Sequence, residues 1–259
     1  EVLRGWGLDV RPPDPLAPDE HGWLAGTDTA RAAALQNAWT DPRVTAVWCS
    51  RGGFGSQRVL DLLDWGALAA AGPKWLVGFS DVTALHQAFA ARLGVVTVHG
   101  PGVAGLADAD ETTTTAVRAL LMEGGSPVLQ GRPGGGGDAE GVLVGGNLTL
   151  LAAMLGTADA RPARDSLVLI EDVAEAPYRL DRALTQLLRA GWFDGVRGVA
   201  SGSFTHCGEP AVVSGLLRSR LAPLGVPLVH DLPVGHGQVN LPVPLGRRVR
   251  LDGDRGTLC

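Results

Sequence analysis

The chain has 259 residues, 45% of them hydrophobic, which is enough to build a sizeable core and argues against disorder. A formal charge of −5 gives no basic footprint for nucleic acid or a membrane surface, so neither is expected as a partner. Three scattered cysteines, Cys49, Cys207 and Cys259, make no disulfide framework, no apolar run is long enough to span a membrane, and "EVLRGWGLDV" does not read as a signal peptide, so a cytoplasmic location is expected.

The opening segment reads as loop or helix with no strand before it. Either the first domain is unusual or its first strand lies outside this sequence. From there short apolar runs alternate with helical patterns. "VTAVWCS" (44–50) reads as a buried strand and "GSQRVLDLLDW" (55–65) as a helix. "KWLVGF" (74–79) is a strand, "DVTALHQAFAARLG" (81–94) a helix, "VVTVHG" (95–100) a strand and "ETTTTAVRALLMEGG" (111–125) a helix. This rhythm predicts a parallel sheet with helices on its faces. The stretch 126–141 then holds six glycines and two prolines without periodicity, so 126–140 is expected as a linker between domains 1–125 and 141–259. Beyond it follow "VLVGGNLTLLAAMLG" (strand into helix), "SLVLIEDV" (strand), "PYRLDRALTQLLRAG" (helix), "VRGVASGSF" (strand), "PAVVSGLLRSRLAPLG" (helix) and "VPLVHDLP" (strand). The tail "VPLGRRVRLDGDRGTLC" predicts a hairpin turning at "DGD".

Open α/β sheets place their sites at the C-terminal ends of strands. Three such corners stand out: "SRGGFGSQR" (50–58), "GFSD" (78–81) and "HGPG" (99–102). The first carries three glycines but puts Arg58 where a dinucleotide fingerprint needs its third glycine, and it lacks the lysine of a P-loop. It is either a tight strand-to-helix turn or a set of free N–H donors able to hold an oxyanion or a phosphate. In "GFSD", Ser80 or Asp81 could cap the following helix, or the corner could present Ser80 as a nucleophile. A serine nucleophile needs a base and an orienting acid. Of the six histidines, His86 falls inside a helix and reads as packing. His99 and His206 sit in loops, and His236 is freed for aiming by Gly235 and Gly237. Glu171 and Asp172 end an apolar strand and are the acid candidates. The competing metal reading groups His206, Cys207 and Glu209 with His230 and Asp231, but their spacing matches no zinc pattern; Cys49 is conceivable as a nucleophile, but a cysteine at a strand end reads first as a small buried hydrophobe.

Taken in order, "LAGTDTARAAALQNAWTDPRVTAVWCSRGGFGSQRVLDLLDW", "PKWLVGFSDVTALHQAF", "HGP", "GGNLTLLAAMLGT", "LVLIEDVAEAPYRLDRALTQLL" and "LPVGHGQVNLPVPLG" resemble the LD-carboxypeptidase family of serine peptidases from about Leu24 to the C-terminus. The resemblance implies an α/β fold with an N-terminal flavodoxin-like parallel-sheet domain and a smaller C-terminal swivelling β/β/α domain. It implies a triad of Ser80, Glu171 and His236, with oxyanion donors at the amides of Gly53 and Asp81. Arg51 is the candidate for gripping the substrate carboxylate. Phe54 stands where the family often has tyrosine, and the family's first strand precedes the region matched. The implied activity is removal of the terminal D-alanine from murein tetrapeptide in cell-wall recycling, without cofactor or metal, by a homodimer. A second branch of the family cleaves aminoacyl-nucleotide antibiotics. A reading of another class, a non-catalytic protein holding nucleotide or phosphate on "RGGFG", stands beside these.

Overall fold

In the computed structural model, which describes residues 1–125 and 127–259, the strands sort into two sheets that meet at the C-terminal ends of their parallel strands. The first sheet has three parallel strands, β1 (Ala46–Trp48), β2 (Trp75–Gly78) and β3 (Thr97–His99). Its helices are α1 (Val2–Gly5), α2 (Asp28–Thr40), α3 (Ser56–Val59), α4 (Trp65–Ala70), α5 (Thr83–Leu93), α6 (Val103–Ala107) and α7 (Glu111–Met122). The stretch 55–65, expected as one helix, is divided. A tight turn at Leu60–Leu62 closes the first piece, and the Asp64 carboxylate accepts from the Ala67 amide to start α4 afresh.

The second sheet has eight strands. They are β4 (Leu129–Gln130), β5 (Arg132–Pro133), β6 (Asp138–Asn147), β7 (Ser166–Val173), β8 (Gly198–Thr205), β9 (Leu228–His230), β11 (Arg248–Asp252) and β12 (Thr257–Leu258). Its parallel centre β6-β7-β8-β9 is linked by α8 (Leu148–Ala153), α9 (Pro177–Arg189) and α10 (Pro210–Leu221). The α9 sequence shows why such a helix forms. Pro177 sits in its first turn, where the missing N–H costs nothing, and Leu180, Ala183, Leu184 and Leu187 recur at helical spacing and are buried. Each leucine contributes about 1.5–3 kcal/mol by leaving water. They join Ile170, Val199 and Leu217 in the core between this sheet and its helices.

Two features differ from expectation. The glycine-rich segment expected as a linker is built into the second sheet: β4 pairs with β12, β5 with β9, and β6 already begins at Asp138. Ser126 lies outside the described residues. The chain also returns late to the first sheet. β10 (Val243–Leu245) pairs antiparallel with β3, so a segment following the second sheet's centre closes the edge of the first. The halves are further tied by the Thr83 hydroxyl, which accepts the Asn147 amide at 2.9 Å. Among the described residues, no helix is long and apolar enough to cross a membrane.

Candidate active site

The corner after β2 is strained. Ser80 adopts φ 64°, a left-handed conformation that costs a non-glycine residue about 1–3 kcal/mol. Strain of this kind aims a side chain outward from a strand-to-helix turn. The helix-cap reading does not hold for this serine, since neither the turn at Ser80–Val82 nor α5 receives a side-chain cap. Asp81 instead reaches across the corner, where its Oδ2 accepts the Ser56 amide at 2.8 Å and fixes the end of the "RGGFG" loop at α3. Arg31 donates to the Gly55 carbonyl at 3.1 Å, and Arg58 pairs with Asp28 at 2.7 Å. The loop is thus held from behind. Gly52 packs directly on the serine: a Cβ built there would lie 2.8 Å from Ser80 Cβ. The Gly53 and Asp81 amides have no backbone acceptor among the described residues, which leaves both able to donate. Arg51 is exposed and has no ion-pair partner among the described residues.

The second sheet supplies the other half. Glu171 lies near the end of β7 and is wholly buried. Beside it β8 bulges: Ile170 pairs with Ser201 but Asp172 with Phe204, so two residues of β8, Gly202 and Ser203, stand opposite the one glutamate and β8 carries one extra residue there. His236 Nδ1–H donates to Glu171 Oε2 at 2.7 Å. The loop carrying His236 is pinned on both sides. The Gly235 amide donates to Asn240 Oδ1, and the Asn240 amide donates to Thr113 of α7 in the other half of the molecule. Gly235 takes φ 103°, and a Cβ there would stand 2.5 Å from Glu171 Oε2, so only glycine lets the loop close over the carboxylate.

The electrostatics decide the tautomer. Burial pushes the Glu171 carboxyl up, but the His236 hydrogen bond and the nearby His99 ring outweigh it and hold the group down at about 2. Glu171 is therefore an acceptor only, Nδ1 of His236 must carry the hydrogen, and Nε2 is left with a lone pair able to accept a proton. Asp172 is the contrast. It accepts from Asn147 Nδ2, the Thr149 amide, the Thr149 hydroxyl and the Val173 amide, and does not meet His236. Its pKa is raised, first by burial.

The Phe79 ring stands 4.7 Å from the His236 ring, which places the serine corner against the histidine, although no hydrogen bond joins Ser80 to His236 among the described residues. The remaining candidates lie elsewhere. His86 donates from Nε2 to the Gly78 carbonyl at 2.9 Å, and burial takes its pKa down to about 3, so the ring is neutral packing. Cys49 is pushed up to about 12, first by burial, which removes the thiolate a nucleophile needs. Cys207 is buried with Sγ toward the Thr205 carbonyl, and among the described residues no three His, Cys, Asp or Glu side chains group as metal ligands. The sequence reading missed Asn240, Thr113, Thr83 and Asn147. Asn147 in "GGNLT", just before a helical run, was the one with a visible signal, that of a helix cap.

Residues 1–100 match the model of the LD-carboxypeptidase N-terminal domain and residues 140–251 that of the C-terminal domain. A putative carboxypeptidase of Streptomyces coelicolor is 52% identical over the whole chain and 86% of its own length. The murein tetrapeptide carboxypeptidase of Pseudomonas aeruginosa is 40% identical over 90% of this chain and 80% of its own. Among solved structures, muramoyltetrapeptide carboxypeptidase from Oxalobacter formigenes superposes with a TM-score of 0.85 at 30% identity, covering 99% of this chain and 90% of that one. A microcin C7 self-immunity protein shares the fold, with a TM-score of 0.86 at 21% identity over 99% of this chain and 87% of that one.

Proposed function

The chain belongs to the LD-carboxypeptidase family, and from that premise we propose that it is a serine-type carboxypeptidase removing the terminal D-alanine from murein tetrapeptide. The observation that carries the reading is the hydrogen bond from His236 to a buried, ionised Glu171, beside the strained serine corner. The choice of substrate is supported by the relatives named for it in Pseudomonas aeruginosa and Oxalobacter formigenes.

In this reading Ser80 Oγ attacks the carbonyl carbon before the D-residue while His236 Nε2 takes its proton. The oxyanion that forms is met by the amides of Gly53 and Asp81. As the C–N bond breaks, His236 returns the proton to the leaving amine and D-alanine departs. A water, activated by the same nitrogen, then hydrolyses the ester and restores Ser80. Glu171 holds the imidazole in the tautomer that frees Nε2 and offsets its transient positive charge. Arg51, charged and unpaired, meets the substrate's terminal carboxylate. A cytoplasmic location and a homodimeric state belong to the same reading; fractionation and sedimentation test them.

The experiment is incubation with murein tetrapeptide followed by mass spectrometry. Loss of one alanine residue, with free D-alanine recovered, supports the proposal. An untouched tetrapeptide alongside a cleaved aminoacyl-sulfamoyl nucleoside would move the activity to the family's other substrate class.

A further inference from the structure

His99 ends β3 in the first sheet and plays no part in the mechanism just described. It is wholly buried, and neither of its ring nitrogens has a hydrogen-bond partner among the described residues. Its Nε2 lies 3.8 Å from Glu171 Oε1, and that oxygen also lacks a partner among the described residues. A buried donor and a buried acceptor, each otherwise unsatisfied, therefore face one another across the boundary between the two sheets. Such groups are costly to leave unpaired. The other neighbours cannot serve the carboxylate. Phe79 presents its ring edge-on to His99 at 5.9 Å, Val243 of β10 stands opposite in register, and His86 of α5 lies 6.4 Å away with its Nε2 committed to the Gly78 carbonyl. Asp172, the next residue along β7, is occupied by Asn147 and Thr149.

We propose that His99 is a positioning residue for the acid of the triad: its Nε2–H is directed at Glu171 Oε1 and holds the carboxylate so that Oε2 points at His236. This rests on the serine-triad reading and deepens it. The acid is then gripped by two histidines, one from each sheet, and its aim depends on how the two halves are packed. A shift of about 1 Å turns the 3.8 Å approach into a full hydrogen bond of ordinary length. The geometry requires the Nε2–H tautomer of His99, and it makes a side-chain amide a workable replacement and an aliphatic side chain an unworkable one.

The test compares His99→Gln, which keeps a donor, with His99→Leu, which does not. The readouts are kcat, KM and the acid limb of kcat/KM against pH, using murein tetrapeptide. The expected result for His99→Leu is a fall in kcat of about ten- to a hundredfold with KM within about threefold, the size seen when supporting contacts to catalytic groups are removed. Its acid limb moves to higher pH, because a carboxylate without its second donor holds the shared proton on the Glu171–His236 pair more tightly. His99→Gln lies nearer the wild type in both respects. The proposal is overturned if His99→Leu retains wild-type kcat, or if both variants lose activity equally with the acid limb unmoved, which is the outcome of a packing role. In case His99→Leu does not fold, the nitrogen-15 shifts of His99 in the wild-type protein decide: a protonated Nε2 is expected, and an unprotonated Nε2 overturns the proposal without any substrate. Failure of the triad reading is separately visible, as wild-type hydrolysis that survives Ser80→Ala.

Discussion

Glu171 and Asp172 are adjacent carboxylates, and exchanging each for its amide separates catalysis from stability. Glu171→Gln keeps an oxygen able to accept from His236 Nδ1, so the 2.7 Å contact and the fold survive. What it removes is a full negative charge beside the imidazolium that the proposed mechanism forms during attack. Two unit charges about 4 Å apart interact by about 4 kcal/mol at an effective dielectric near 20, equivalent to roughly a thousandfold in rate. We expect kcat to fall between about 10² and 10⁴, in line with loss of the orienting acid in other triads. Asp172→Asn leaves the histidine untouched but turns an NH2 toward a site built from four donors on Asn147, Thr149 and Val173. That costs about 1–3 kcal/mol of stability and lowers Tm by about 2–4 °C for each, with kcat within about threefold. Steady-state kinetics on murein tetrapeptide and circular-dichroism melts read both effects. A Glu171→Gln enzyme within tenfold of wild type, or an Asp172→Asn enzyme crippled in kcat with an unchanged melt, would refute the assignment of the acid.

Gly52→Ala places a methyl 2.8 Å from Ser80 Cβ, so it should cut kcat at least about a hundredfold while circular dichroism shows the fold intact; an enzyme of near-normal rate would mean the serine does not need that space. Ser80→Gly relieves the φ of 64°, so it should abolish hydrolysis yet raise stability by about 1 kcal/mol relative to Ser80→Ala, and equal melts for the two would deny the strain. Because the folded-state pKa of Glu171 is depressed to about 2 from 4.5, its contribution to stability is complete above about pH 4.5 and disappears as pH falls through about 2. Acid unfolding of the wild type should therefore include on the order of 3 kcal/mol that Glu171→Gln lacks, and superimposable acid titrations of the two proteins would contradict the pairing.

The strand–helix rhythm was readable because buried parallel strands are short apolar runs and their helices carry apolar faces at helical spacing, as β7 and α9 show. The candidate site was readable only in pieces. Ser80 and Asp81 look alike as helix-start residues, and the distinction lies in a backbone angle and in a contact to Ser56 that lies 25 residues away. Ordered motifs of a known family, not the corner itself, selected the serine. The glycine-rich segment misled because composition speaks for flexibility, whereas β4 and β5 are held by pairing with β12 and β9, more than 90 residues on. The return of β10 to β3, the bulge in β8 opposite Glu171 and the approach of His99 to that carboxylate are likewise products of long-range packing, which leaves no local periodicity to read.

The central claim is that Ser80 is a nucleophile activated by the Glu171–His236 pair. Its most direct test is covalent labelling of the wild-type protein, Ser80→Ala and Glu171→Gln with a fluorophosphonate, followed by intact-mass measurement and peptide mapping. The account predicts one adduct on wild type, mapped to Ser80, none on Ser80→Ala, and labelling of Glu171→Gln slowed at least about a hundredfold. An adduct on a different residue, or equal labelling of the wild type and Glu171→Gln, would contradict it.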